Sequence, residues 1–288
     1  LFGADIGTML EQAKAHTPED LEWDWAHGSI SDMNKASFLS GLALIVAITS
    51  AEMFSQGNWQ RAYASEDEDA LKKGACFAAV LVLPLMFIMG FLGTVVAGQG
   101  AVEDPSMAFF LLIEDAGVFI IALFIILGIA LVCSSADTLQ NAVVASISRD
   151  LSDGKMDLKT ARLVSLGLIP IAVYLATEPT ILGLKLDGLG IFEIFLFADL
   201  LATATVLPVL LSLWDRVVPQ AALAGAITGL LAVVAYGAAT ADLATGVGYL
   251  TSPTNDWGLA NLGVFLSALV VSGVVTVGGS LVLNSDDQ

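Results

Sequence analysis

Seven stretches of this chain are long and apolar enough to cross a hydrocarbon layer, and that pattern dictates the fold before any motif is considered. A layer ~30 Å thick takes ~20 helical residues. The runs fall at approximately 37–57, 74–98, 116–147, 160–177, 189–213, 220–241 and 259–283. Between them lie polar or Gly/Pro-containing connections such as Glu66-Asp67-Glu68-Asp69, Ser152-Asp153-Gly154-Lys155 and Ser252-Pro253-Thr254-Asn255, which mark turns outside the hydrocarbon. Backbone groups find no water inside a bilayer, so spans of this kind are helices. The expected fold is therefore all-α, a polytopic membrane domain over 37–288, preceded by a polar leader over 1–36. In that leader Trp23 and Trp25 sit among acids, a composition suited to a short helix at the membrane interface.

Composition excludes several functions. With 56% hydrophobic residues and a mean hydropathy of +0.81, a soluble domain of this size could not hide its apolar surface in one core. A formal charge of −18, from 29 acidic and 11 basic side chains, argues against nucleic acid as a partner, because phosphate binding needs clustered Lys and Arg. The excess carboxylate suits a halophilic source, in which it keeps polar segments hydrated. Cys76 and Cys133 both fall in apolar runs and read as packing residues, while His16 and His27 lie in the polar leader and carry no role. The chain opens on Leu1 with no basic-then-apolar signal pattern, from which an upstream segment is expected.

The basic residues set an orientation. Arg61, Lys72, Lys73, Arg149, Lys155, Lys159, Arg162 and Arg216 fall in alternate connections, and only Lys14, Lys35 and Lys185 in the others. By the positive-inside bias the leader is extracellular and the C-terminus cytoplasmic.

Two spans carry polar groups that a lipid-facing helix would not tolerate. The apolar run Phe38 to Ala51 is interrupted by Glu52, Ser55, Gln56, Gly57 and Asn58, as in the discontinuous helices that line transporter sites. In the third span Ser134, Asp137, Thr138 and Asn141 stand at i, i+3, i+4 and i+7 and share one face, with Ser135 beside it. Oxygen ligands suit a hard cation such as sodium, and an intramembrane carboxylate is a functional group by default. The alternative is that the hydroxyls bond back to carbonyls one turn earlier while Asp137 reaches the interface. Glu193 and Asp199 lie in the fifth span, Asp199 the deeper and the better placed to face a cavity. Gly225 and Gly229 fit close helix packing of the GxxxG kind.

Three stretches resemble the sodium:solute symporter family. QGNWQRAYASEDEDALKKG, Gln56 to Gly74, is similar to its sixth core helix and following loop; SSADTLQNAVVASISRDL, Ser134 to Leu151, to its eighth; and PVLLSLWDRVVPQAALAGAITG, Pro208 to Gly229, to its tenth. The resemblance implies the second inverted repeat of a five-plus-five helix fold, with peripheral helices, in the plasma membrane. It also implies a sodium ion held by the hydroxyls of Ser134 and Ser135 and the carbonyl of Leu131, where the helix geometry loosens, with Asp137 as a neighbouring group or ligand of a second ion. The remaining ligands would come from a first repeat that this chain lacks, so the missing N-terminal half is an expected partner and the fragment would not transport alone. Ala51, Glu52 and Gln56, with Asp199, would line the pocket for a small polar solute such as an amino acid, urea or a polyamine. Aromatic residues near Ala51 and Glu52 mark the family's sugar carriers, and their absence speaks against a sugar.

Other machines fit less well. A retinal pump needs a lysine in its last span, and none lies between Leu259 and Leu283. An Asp137–Asp199 dyad could serve an intramembrane hydrolase, but the chain has no Gly-x-Ser-x-Gly elbow and no His-Glu-x-x-His pair. The expectation is a carrier and not an enzyme, with a channel or a non-transporting sensor on the same fold as the alternative.

Overall fold

A computed structural model of the chain describes residues 35–97, 110, 113, 116–151, 156–176, 180–181, 184–185, 191–255 and 258–285. The leader with Trp23 and Trp25 lies outside them.

The architecture is helical: α1 (Lys35–Phe54), α2 (Gln56–Tyr63), α3 (Glu68–Ala97), α4 (Val118–Ser146), α5 (Leu158–Ala176), α6 (Ile191–Leu211), α7 (Pro219–Thr240), α8 (Leu243–Gly248) and α9 (Leu262–Ser285). One two-residue antiparallel ribbon, β1 (Thr180–Ile181) with β2 (Leu184–Lys185), lies between α5 and α6. Among the described residues six helices, α1, α3, α4, α6, α7 and α9, are long and apolar enough to cross a bilayer. This is the frame of an all-α, polytopic membrane protein. The fourth apolar stretch forms α5, 19 residues with Pro170 inside it.

Helix starts follow local chemistry. Ahead of α3 the Asp67 carboxylate accepts from the Ala70 amide at 2.6 Å, with Glu68 and Asp69 in the first turn, where negative charge meets the positive end of the helix. Lys72 then pairs with Glu68 at 2.7 Å, one turn apart. Pro219 opens α7 in the first turn, the position where its missing N–H costs nothing. Asp242 caps α8, accepting from the Thr245 amide at 2.7 Å.

The chain divides into two compact units, residues 1–34 with 56–174 and residues 35–55 with 175–288. In the second, α9 packs along α7 and α6, and α1 along α6. Its core joins Ala43 and Ala47 of α1, Leu196, Leu200 and Ala204 of α6, Val233 of α7, and Val264, Phe265 and Ala268 of α9. Small residues set the α7–α9 distance. A Cβ on Gly229 would stand 2.9 Å from the Ala268 carbonyl oxygen, and one on Gly225 would meet the Thr276 hydroxyl. Close approach of this kind drives association where lipid removes the hydrophobic term. In the first unit, α3 and α4 are exposed along almost their whole apolar length, as lipid-facing spans are. Cys76 and Cys133 belong to this surface and are exposed rather than packed.

Candidate functional site

The polar interruption of the first span becomes a break in the backbone. Helix α1 runs through Glu52 to Phe54, stops at Ser55, whose amide reaches back to the Glu52 carbonyl at 3.3 Å, and resumes as α2 at Gln56. Within the first unit α2 packs on α4. Gly57, Gln60 and Arg61 stand at i, i+3 and i+4 on α2, and Ala64 follows in the turn just beyond it; with Asp137, Thr138 and Asn141 of α4 they line a cavity of about 260 Å³.

Two hydrogen bonds fix this seam. A guanidinium N–H of Arg61 donates to Thr138 Oγ1 at 3.3 Å, and that hydroxyl donates to the Ser134 carbonyl at 3.0 Å. The second bond is the back-bond to the preceding turn that a helical threonine makes when no better acceptor is near. It occupies the Ser134 carbonyl and aims the hydroxyl lone pairs at Arg61. The cavity thereby gathers a fixed cation, an anion in Asp137, and the amides of Gln60 and Asn141. Such a wall can both donate to and accept from a polar solute.

The remaining sequence-derived residues take the following places. Ser134, Ser135 and Asp137 are exposed on α4, Ser134 one turn from the cavity on the same face. Leu131 is exposed too, and α4 remains a regular α-helix through it. The wider turn expected there falls instead at Ile147–Leu151, in π-helical form. Gln56 is exposed at the start of α2 and does not line the cavity. Ala51 and Glu52 belong to the second unit, as does Asp199, which is buried on α6 within the field of the Glu52 carboxylate. Among the described residues no cluster of three or more His, Cys, Asp or Glu could hold a metal ion.

Arg61 was not among the residues the sequence singled out for a site. Its partner Thr138 is 77 positions away, beyond the reach of helical periodicity. The signal available was the i, i+3, i+4 set Gly57, Gln60 and Arg61 on α2, whose polar members face the polar side of α4.

No protein-family model matches the chain, and no solved structure matches it. Among curated proteins it is similar to the spermidine transporter DUR31 of Candida albicans, 28% identical over 259 residues. The match takes in 85% of this chain and 48% of that protein, so the chain spans about half the length of the curated relative it matches. The six described helices long enough and apolar enough to cross a bilayer are those of a multi-pass membrane protein.

Proposed function

We propose that the chain forms part of a sodium-coupled carrier in the cell membrane that takes up a small polar organic solute bearing amide or ammonium groups, such as an amino acid, urea or a polyamine. The observation that carries this reading is the cavity where α2 meets α4. Two stretches that are remote in sequence, Gln56 to Ala64 and Ser134 to Asn141, there place a guanidinium, a carboxylate, a hydroxyl and two amides around one small space. A solute carrying positive charge, as spermidine does for the relative, fits the carboxylates of this chain. The Ser134 and Ser135 hydroxyls, exposed on the same polar stretch of α4, are the sodium ligands of this reading, completed by the N-terminal half of the protein. The acidic balance of −18 is read as adaptation to a salt-rich setting.

Coupling then requires that sodium favour the arrangement in which solute also binds, so that both are released together on the far side. One charge moving through 100 mV is worth ~2.3 kcal/mol, which supports roughly fifty-fold accumulation before the sodium gradient adds its share.

The test is uptake by the complete protein in liposomes across a panel of amino acids, urea and polyamines, with and without a sodium gradient. Saturable, sodium-dependent uptake is expected for one member. In Ser134→Ala and Ser135→Ala the half-saturating sodium concentration should rise while expression holds. Unchanged sodium dependence in both variants removes the proposed ligands, and flux that does not saturate turns the reading to a channel.

A further inference from the structure

The second compact unit holds a carboxyl that the α2–α4 cavity does not use. Asp199, near the middle of α6, is 3% exposed. Its Oδ2 has no solvent contact and no hydrogen-bond partner. Buried hydroxyls of the packed α1–α6 pair are committed elsewhere: Thr203 Oγ1 on α6 donates to the peptide oxygen of Asp199 itself at 2.7 Å, and Ser50 Oγ on α1 to the Val46 carbonyl at 2.7 Å. Charge does not compensate either. Among the described residues of the elements packed on α6, the ionisable groups are Lys35 and Glu52 on α1 and Tyr236 on α7; α9 carries none, and α6 itself adds Glu193 in its first turn. Glu52 is the group whose charge reaches Asp199, and it is of like sign. Lys35 starts α1, 17 residues before Glu52, a separation of about 25 Å at the helical rise of 1.5 Å per residue. Tyr236 stands with its ring against Gly263 of α9.

An ionised carboxylate in such a place, with one oxygen buried and lacking a donor and with a second acidic group of like sign in its field, is disfavoured against the neutral acid. Taking up one proton cancels one negative charge and removes the larger part of that disadvantage. We propose that Asp199 is a proton-binding site, neutral in the conformation described here, which exchanges its proton with water when the seam between α1 and α6 opens. The carrier would then move a proton in addition to, and independently of, any sodium ion held on α4. The site goes beyond the sodium-coupled reading and does not depend on it.

Two measurements on the complete protein in liposomes separate this site from that reading. The first needs no transport: the infrared spectrum of the wild type at neutral pH should show the carbonyl stretch of a protonated carboxylic acid, lost in Asp199→Asn and shifted in Asp199→Glu. The second is solute-driven proton movement followed with a pH dye inside the liposomes. Wild type should acidify the lumen as solute enters, Asp199→Asn, which imitates the neutral acid, should lose that signal, and Asp199→Glu, which can still take up a proton, should keep it. Where Asp199→Asn does not fold, Asp199→Glu carries both measurements, with the band shifted and proton movement retained. A wild type lacking the infrared band, or an Asp199→Asn protein that still moves protons, overturns the proposal. Absence of sodium-dependent uptake with the band present overturns only the sodium reading.

Discussion

At the residue scale, the cavity between α2 and α4 places one anion, Asp137, where a cationic solute would sit. A charge-assisted hydrogen bond contributes about 1.5–3 kcal/mol, so Asp137→Asn should weaken solute binding by roughly ten- to a hundred-fold while leaving the fold intact. Equilibrium binding of labelled solute to the complete protein checks this, and affinity equal to wild type would remove Asp137 from the site. Thr138→Val should behave differently. It deletes a long, exposed 3.3 Å bond from the Arg61 guanidinium and a back-bond to Ser134, and bonds exposed to water contribute little net stability. Thermal stability should stay close to wild type, whereas solute affinity should fall, because Arg61 loses the acceptor that holds its guanidinium at the cavity wall. Much of α4 was legible in advance: its polar face from Ser134 to Asn141 follows from spacing alone. The role of Arg61 was not, because a contact between distant segments leaves no local periodic trace. The burial of Asp199 without a donor is likewise a property of three packed helices and not of its own span.

At the element scale, the α7–α9 seam shows what sequence does specify. Gly225 and Gly229 announce close packing, and the structure supplies the partners: the Ala268 carbonyl and Ser272 side chain oppose Gly229, both at 2.9 Å from the position of a Cβ. Gly229→Ala should therefore force the helices apart and destabilise the protein by about 1–3 kcal/mol. Gly278→Ala on α9, whose Cβ would meet nothing within 4 Å, should be neutral or slightly stabilising through helix propensity. Melting in detergent, followed by circular dichroism, separates the two, and equal melting temperatures would mean the seam is looser than described. The short helix α8 escaped the sequence reading because six residues cannot show a period. Its cap makes a pH prediction. The amide and hydroxyl of Thr245 hold the Asp242 carboxyl below the usual aspartate range, the backbone amide acting most strongly. A lowered folded value means that stability is present above the ordinary aspartate value of about 4 and is lost as pH falls through the folded value. Hydrogen exchange at the Thr245 amide should accelerate on acidification in wild type. In Asp242→Asn, which caps without ionising, that acceleration should vanish, and its persistence would place its cause elsewhere.

At the scale of the whole molecule, the two ends of α7 give the most direct test of orientation. Basic residues crowd alternate connections, and a bilayer retains such loops on the cytoplasmic side. In the second unit the α6–α7 connection contains Arg216, and the connection from α7 to α9 contains α8 with Asp242 but no Lys or Arg. The first should then be cytoplasmic and the second extracellular. Both native thiols, Cys76 and Cys133, are exposed and must first be replaced by serine, or they would report in place of the probes. On that background, a cysteine at Asp215 should react with a membrane-impermeant maleimide only after the cells are permeabilised. A cysteine at Leu243, exposed on α8, should react on intact cells. Reversed labelling would turn α7 over and place the Arg216 connection on the extracellular side, against the positive-inside bias. Labelling of both sites from outside would mean that α7 does not cross the membrane. The small-residue contacts along α7 would then record packing in a re-entrant segment, since a 22-residue helix that opens on Pro219 is long enough to span the ~30 Å hydrocarbon layer but is not compelled to.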